Sequence, residues 1–194
     1  MAGEKYVIAT SDNSVQIAVR NILNPRGYIF LGNCSDGVSL IRLVRSYSPD
    51  IVVVDLNMQL RDLRLAVETI DDEMMCTCIV LGDSKELEMS NLFEKSKSIV
   101  YCPKPLSREL LLHTVELALV NYRRISDLNK KLKEMTENLE TRKLVDRAKW
   151  ILMQRDGLDE SEAYERMRRK SMDTRMSMKA LAEAIITAYE IGRK

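Results

Sequence analysis

A carboxylate and a lysine in the first half of the chain could together carry out phosphoryl chemistry. Asp55 directly follows the apolar run Ile51–Val54, and Lys104 stands between Pro103 and Pro105. An open parallel sheet places its chemistry at the carboxyl ends of its strands, and both residues would lie at such an end. A carboxylate beside a lysine at that edge is the arrangement of an aspartyl-phosphate site. The alternative for Asp55 is a hydrogen-bonded carboxylate that only ends a strand. The bond before Pro105 is a candidate for the cis form.

Basic residues are concentrated in the second half of the chain. Residues 121–194 carry a net charge of +5, whereas residues 1–120 carry a net charge of −4. The densest basic cluster contains Arg166, Arg168, Arg169, Lys170, Arg175 and Lys179, and further basic residues upstream are Arg142, Lys143, Arg147 and Lys149. Such a bias toward one sign is typical of a nucleic-acid-binding surface. Ordinary arginines on a solvated helix are the alternative interpretation.

The composition excludes several other functions. The four cysteines contain no CxxC pair and the chain has a single histidine, His113, which excludes a zinc cluster, a disulfide framework and a histidine-dependent catalytic triad. No apolar run is long enough to span a membrane and no signal peptide is recognisable, so we expect a cytoplasmic protein without a membrane partner. Because no catalytic constellation remains, we predict that the chain is not an enzyme.

Strand and helix signals alternate along the first 120 residues. The predicted strands are Tyr6–Ala9, Tyr28–Leu31, Asp50–Asp55, Cys78–Leu81 and Ile99–Tyr101. The predicted helices are Asn13–Leu23, Gly37–Ser46, Arg61–Ile70 and Glu86–Glu94, with a further helix capped by Ser107. Nearly continuous apolar strands are buried on both faces, so the pattern predicts an α/β fold with a doubly wound, five-stranded parallel sheet.

The helix after Ser107 contains neither glycine nor proline as far as Met153. Five of its apolar residues are spaced by three and four positions, which is a heptad pattern: Ile125, Leu128, Leu132, Met135 and Leu139. We refer to these five residues as the seam. Because they would otherwise face water, we predict a coiled-coil homodimer through the seam. An unpaired, solvated linker helix is the alternative.

The last 70 residues predict a small three-helix, all-α domain. Gly157 ends the long helix, Asp159 and Glu162 form the pattern of a capping box, and Ser177 can cap a third helix. The predicted core stripe contains Leu144, Val145, Ala148, Ile151, Leu152, Ala163, Tyr164, Met167, Ser171, Met178, Leu181, Ala182, Ile185, Ile186 and Tyr189. The predicted domains are therefore 1–122, a linker helix over 123–141, and 142–194.

Over residues 4–122 the chain resembles a two-component receiver domain. The resemblance places Asp55 at the phospho-acceptor, Lys104 at the phosphate-binding lysine and Tyr101 at the aromatic switch position. It therefore implies a receiver, or flavodoxin-like, strand order and a sensor kinase as a candidate partner.

The receiver pattern is incomplete at the residues that hold metal and phosphate. Thr10 and Ser11 stand in the places of the acidic pair, with Asp12 just beyond, and Gly82 replaces a hydroxyl residue. Mg²⁺ needs one or two well-placed carboxylates, which Asp55 and Asp12 could supply only for a weakly bound ion. We therefore predict a degenerate receiver with no cofactor and with weak or no phosphorylation. Functional phosphorylation of Asp55 is the alternative.

Over about residues 128–190 the chain resembles the ANTAR domain. The matching residues are Arg147 to Met153, Gly157, Ala163, Met167-Arg168-Arg169, Ser171-Met172 and Leu181-Ala182. Trp150 stands where a glycine is usual and Ser171 where an alanine is usual. The resemblance implies an RNA-binding module of a bacterial transcription antiterminator, which binds paired stem-loops in an mRNA leader as a dimer and keeps a terminator hairpin from forming.

The candidate RNA-binding residues are Lys149, Arg168, Arg169, Lys170, Arg175 and Lys179. Trp150 could stack on a loop base, but we expect it in the core, because it lies beside Ala148 and Ile151. A DNA-binding response regulator is the alternative function, although the third helix is mostly apolar and poor in base-reading side chains. A protein-interaction adaptor is a further alternative.

Overall fold

The computed structural model describes residues 3–55, 60–83 and 96–191. The chain divides into two compact units, Met1–Leu128 and Asn129–Lys194. The division falls within the segment 123–141, whose assignment as a separate linker stays a prediction. The predicted helix Glu86–Glu94 lies outside the described residues.

The first unit is built on a five-stranded parallel sheet with the order β2-β1-β3-β4-β5. The strands are β1 Lys5–Ala9, β2 Ile29–Cys34, β3 Ile51–Asp55, β4 Thr77–Gly82 and β5 Ile99–Pro103. The predicted fold class is confirmed. The second strand is longer than the predicted Tyr28–Leu31, because its pairing with β1 continues to Ala9 and Cys34. Gly32 and Asn33 interrupt the apolar pattern there, so the sequence signal ended too early.

Helices cover both faces of the sheet, as a doubly wound fold requires. They are α1 Asn13–Leu23, α2 Gly37–Tyr47, α3 Leu60–Asp72 and α4 Arg108–Asp156. Successive residues of a strand point to opposite faces. Val7 therefore packs in a cluster with residues of α2 and α3, whereas Ile8 packs in a cluster with residues of α1 and α4. Both faces are apolar, and the polar carboxyl edge of the sheet is left for the candidate site.

The second unit contains the end of α4, α5 Glu160–Thr174 and α6 Met178–Ile191. The predicted capping box is present: Asp159 Oδ1 accepts from the Glu162 N–H at 2.8 Å, and Glu162 Oε2 accepts from the Asp159 N–H at 3.0 Å. Its core includes Ala148, Ile151, Leu152, Ala163, Met167, Leu181, Ala182 and Ile186. Among the described helices, none combines the length and the apolar content that crossing a membrane requires.

Candidate functional site

The carboxyl edge of the first unit's sheet brings Asp55, Lys104 and Thr10 together. Asp55 ends β3 and is 1% exposed. Lys104 Nζ donates to Asp55 Oδ1 at 2.6 Å, and Thr10 Oγ1 donates to Asp55 Oδ2 at 3.1 Å. A buried charge is tolerated when it is paired and its remaining lone pairs are hydrogen-bonded. Both carboxylate oxygens meet that condition, so the predicted pair of Asp55 and Lys104 is formed and closed by Thr10.

Thr10 is a part of this site that the residue types alone did not reveal. Its hydroxyl also accepts from the Asp12 N–H at 3.0 Å, and its own N–H donates to the Cys34 carbonyl at 2.9 Å. The side chain is 2% exposed. A neutral hydroxyl therefore donates to Asp55 from the place where the receiver pattern has an acid.

Asp12 is committed to the start of α1. Its Oδ1 accepts from the Ser14 N–H at 2.8 Å and from Ser14 Oγ at 2.6 Å. These hydrogen bonds to Ser14 lower the pKa of Asp12, as expected for a carboxylate that caps a helix.

The donor set therefore does not fit a receiver-type Mg²⁺ site. One carboxylate, Asp55, is paired with Lys104, and the other, Asp12, caps a helix. Within the described parts of the chain, no group of three or more histidine, cysteine or acidic side chains is arranged to hold a metal ion. The weak Mg²⁺ site at Asp12 and Asp55 stays a prediction without support from this geometry.

Tyr101 and Lys104 both donate hydrogen bonds to the backbone of Gly82. The Tyr101 hydroxyl donates to the Gly82 carbonyl at 2.7 Å, and the Lys104 N–H donates to the same carbonyl at 3.0 Å. The side chain of Tyr101 is half-buried. The bond between Lys104 and Pro105 is cis, as the sequence suggested. Gly82 therefore acts through its backbone oxygen, which no side-chain pattern could show.

The second unit presents basic side chains on α5, on α6 and between them. Arg168, Arg169, Lys170 and Arg175 are exposed, and Lys179 is half-exposed. Arg166 bonds to Asp156 at 2.7 Å, and Arg168 lies 3.5 Å from Glu165. Of the six basic residues at 166–179, four have no ion-pair partner among the described residues, and we call them the unpaired basic group: Arg169, Lys170, Arg175 and Lys179.

Lys149 differs from the unpaired basic group because its charge is already matched. Its side chain is 14% exposed, and its Nζ lies 2.8 Å from Asp146 Oδ1 and 2.7 Å from Glu160 Oε1. Hydrogen bonds to Asp146 and then to Glu160 raise the pKa of Lys149. The residue therefore links α4 to the first residue of α5, and its role as an RNA contact stays a prediction.

The expectation that Trp150 belongs to the core is wrong. Trp150 is 51% exposed, whereas Ala148 and Ile151 on either side of it are at most 1% exposed. A helix turns by about 100° per residue, so Trp150 points away from the core that its sequence neighbours form. Leu132 lies eighteen positions earlier, which is five full turns, and therefore on the same side of α4 as Trp150. It is 64% exposed.

The seam is uncovered in the single chain. Leu128, Leu132, Met135 and Leu139 are each exposed by 59% to 64%, and Ile125 is half-buried. Among the described residues, none of the five belongs to a core cluster of either unit. The homodimer that they predict stays a prediction.

Comparison with known proteins agrees with the two-part reading of the chain. The ANTAR domain model matches residues 133–186. The transcriptional regulatory protein PdtaR of Mycobacterium tuberculosis is 30% identical over 182 residues, which cover 94% of this chain and 89% of that protein. The aliphatic amidase regulator of Pseudomonas aeruginosa is 36% identical over 89 residues, which cover 44% of this chain and 45% of that protein.

Solved structures match the fold of the first unit. The signal receiver domain of an HD domain-containing protein from Pseudomonas fluorescens Pf-5 aligns with a TM-score of 0.57 at 18% identity, over 66% of this chain and 94% of that chain. The chemotaxis response regulator CheY4 of Vibrio cholerae aligns with a TM-score of 0.52 at 17% identity, over 60% and 98%. At these identities the likeness shows the fold alone. Taken with the similarity to PdtaR over 94% of the chain, it shows that the chain belongs to the ANTAR family of response regulators, in which a receiver domain precedes an RNA-binding antitermination domain.

Proposed function

We propose that the second unit binds stem-loops in mRNA leaders through the unpaired basic group, and that the protein regulates transcription this way without catalysing a reaction. The observation that carries the proposal is that four of the six basic residues at 166–179 are exposed or half-exposed and have no ion-pair partner among the described residues. Nascent mRNA leaders are made in the cytoplasm, which is where we place the protein.

The physical argument rests on charge. RNA phosphates that meet lysine or arginine release condensed counterions, which is the main source of sequence-independent affinity. Arg169, Lys170, Arg175 and Lys179 can make such contacts without first breaking an intramolecular ion pair. Arginine can also hold a phosphate with two parallel hydrogen bonds, which gives geometric selectivity.

Stem-loop RNA fits this unit better than duplex DNA does. A DNA-reading helix presents polar side chains to the major groove. In α6, by contrast, Leu181, Ala182 and Ile186 are buried in the unit's core. Unpaired loop bases can be read outside a groove by stacking and by hydrogen bonds to their edges.

A competition experiment with the full chain tests this proposal. The probes are a double stem-loop RNA, a fully paired RNA hairpin and a duplex DNA of matched length, each measured at several salt concentrations. We expect the double stem-loop to bind at least about tenfold more tightly than the duplex DNA, because loop contacts add to the phosphate contacts. Equal affinity for RNA and DNA would contradict the proposal.

We also propose that the active species is a homodimer joined along the exposed face of α4. Leu132, Met135, Leu139 and Trp150 lie on one side of this helix, and each is at least 51% exposed. Burial of such a side chain contributes about 1.5–3 kcal/mol, so a partner helix would be stabilised by this face. Each copy in the dimer would then contribute its second unit, so that the dimer could bind two stem-loops.

The receiver unit, in this proposal, works without efficient phosphorylation and without a resident Mg²⁺. Asp55 already accepts hydrogen bonds at both oxygens, from Lys104 and Thr10. A phosphoryl group on Asp55 would have to displace these contacts and would lack a metal ion to neutralise its oxygens. A sensor kinase is therefore not required as a partner.

A further inference from the structure

A groove of about 850 Å³ lies in the second unit beside part of the unpaired basic group. Its lining includes the apolar residues Leu152, Leu158 and Leu181, together with Arg169 and Lys170. The volume is within the roughly 300–1,000 Å³ of ordinary ligand sites, and an apolar lining with a few polar groups is typical of them. The groove is therefore large enough for a nucleobase.

Besides Arg155, Glu162 and Arg166, which bond to Asp156 or cap α5, four charged residues line the groove, two basic and two acidic. Arg169 and Lys170 have no ion-pair partner within the described ranges and are suited to phosphate. Glu165 and Asp173 also line the groove, and the one ion pair that either makes among the described residues is the 3.5 Å contact of Glu165 with Arg168. An ionised carboxylate only accepts hydrogen bonds, so these two acids favour a ligand edge that carries N–H donors.

We propose that the groove accepts one unstacked loop base that carries an exocyclic amino group, while Arg169 and Lys170 hold the adjoining phosphates. The apolar lining would cover the faces of the base, and Glu165 or Asp173 would accept from its amino group. Uracil is disfavoured, because its carbonyl oxygens would face carboxylates. This inference rests on the proposed binding of stem-loop RNA and adds the site and the base chemistry.

The combination of charges is what favours RNA over an apolar protein segment. An apolar protein segment would satisfy the apolar lining but would leave Arg169 and Lys170 without counter-charges. A nucleotide supplies an apolar face, amino donors and a phosphate within one small unit. The groove offers a complement to each of these three features.

The first test uses mononucleotides and the unmodified full chain. Cytidine and uridine 5′-monophosphate have the same size and phosphate and differ at the amino-bearing edge. Met167 and Ile185 line the groove. We expect cytidine monophosphate to shift the NMR signals of their methyl groups, with an affinity at least about threefold higher than that of uridine monophosphate. Ribose 5-phosphate should not shift these methyl signals. Equal affinities for the two nucleotides, or shifts confined to other methyl groups, would overturn the inference.

The second test fills the groove. Ser161 lines it and is exposed, whereas Thr187 is exposed on α6 and is not among the lining residues. We expect Ser161→Phe to lower affinity for a pool of double stem-loop RNAs with randomised loops at least about tenfold, and Thr187→Phe to leave it unchanged. If the wild type binds the pool and Ser161→Phe binds it equally well, the groove inference fails and the proposed function stands. If the wild type does not bind the pool, both fail. A loss of dimer in Ser161→Phe without loss of RNA affinity would assign the groove to a second copy and overturn the inference. The mononucleotide test does not depend on the folding of either variant.

Discussion

Lys104 in the receiver unit and Arg169 in the ANTAR unit show two opposite ways of using a positive charge. Lys104 lies 2.6 Å from Asp55, with 16% of its side chain exposed. Arg169 is exposed and has no ion-pair partner among the described residues. The first charge is fixed inside a closed network, and the second is available to an external anion.

The difference between Lys104 and Arg169 shows which cations can contribute free energy to the binding of an anion. Removing one partner of a buried ion pair costs free energy, so such a network opposes any ligand that must first displace it. Exposed cations contribute little to folding, because water screens them, but they gain free energy when they meet a polyanion. At the carboxyl edge of the sheet, which resembles an enzymatic site, the charges of Asp55 and Lys104 are paired with each other. The unpaired basic group, which resembles the surface of an ordinary solvated helix, is accessible to an external anion.

The largest effect of a mutation is expected in the seam, the second exposed surface for which we propose a binding partner. Leu132→Glu together with Leu139→Glu should raise the dimer dissociation constant at least about a hundredfold, because each leucine loses about 1.5–3 kcal/mol of burial. Sedimentation measures this, and Ser126→Glu with Lys130→Gln is the matched control, since it makes the same change in net charge at exposed residues on the opposite side of the helix from the seam. A dimer that survives the leucine changes would contradict the account. A wild type that is monomeric at about tens of micromolar would contradict it as well.

The second-largest effect is expected from the hydrogen-bonded network of Thr10, Asp55 and Lys104. Asp55→Asn should lower the free energy of unfolding by about 1–3 kcal/mol, because Lys104 keeps a largely buried charge without its counter-charge. Urea denaturation gives the value. Asp72→Asn is the control, because that side chain is 79% exposed and should change stability little. A variant as stable as the wild type would show that the pair of Asp55 and Lys104 does not hold the receiver unit together.

Lys149 sharpens the comparison within the ANTAR unit itself. Lys149→Met should lower stability by about 0.5–1 kcal/mol and change RNA affinity less than Arg169→Gln does, because Lys149 is already paired. Its pKa is raised above the usual 10.5, so this stabilisation is complete below pH 10.5 and is lost as the pH rises through the raised value. Denaturation of both proteins from pH 7 upward measures the difference. If Lys149→Met lowered RNA affinity as much as Arg169→Gln does, Lys149 would be an RNA contact after all.

The smallest effect is expected from a phosphodonor. Incubation with a small phosphodonor and Mg²⁺ should leave the intact mass unchanged, because Thr10, Ser11 and Gly82 replace the residues that hold metal and phosphate in receivers. Efficient addition of about 80 Da, lost in Asp55→Asn, would show that the network opens and that the site is a working one.

The alternation of apolar strands and amphipathic helices predicted the sheet, because burial on both faces leaves a strong signal in Ile51–Val54 and its neighbours. The pairing of Asp55 with Lys104 was also predictable, since both residues follow strands of one sheet. The hydroxyl bond from Thr10 and the carbonyl of Gly82 were not, because hydrogen bonds through a neutral side chain or the backbone have no sequence signature. Trp150 was misplaced because neighbours in sequence lie on different sides of a helix.

The same limit applies to the basic cluster. Residue types identified Arg169 and Lys149 equally well as cations, yet only the fold shows that Asp146 and Glu160 match one of them. Whether a charge is open or closed depends on which acids tertiary packing brings near, and this information lies outside any local pattern. The groove beside Arg169 could not be predicted from a local pattern either, because three helices form it together.

The salt dependence of RNA affinity tests the central claim most directly. The claim is that the open cations of the ANTAR unit, and not the closed network at Asp55, set the affinity for RNA. For the full chain with double stem-loop RNA, the slope of log affinity against log salt should be the same in the wild type and in Asp55→Asn. In the variant with Arg169, Lys170, Arg175 and Lys179 all changed to glutamine, it should be shallower by about 3, since each phosphate contact contributes about 0.7–0.9. A slope that is unchanged in the fourfold variant, or that changes with Asp55→Asn alone, would contradict the account.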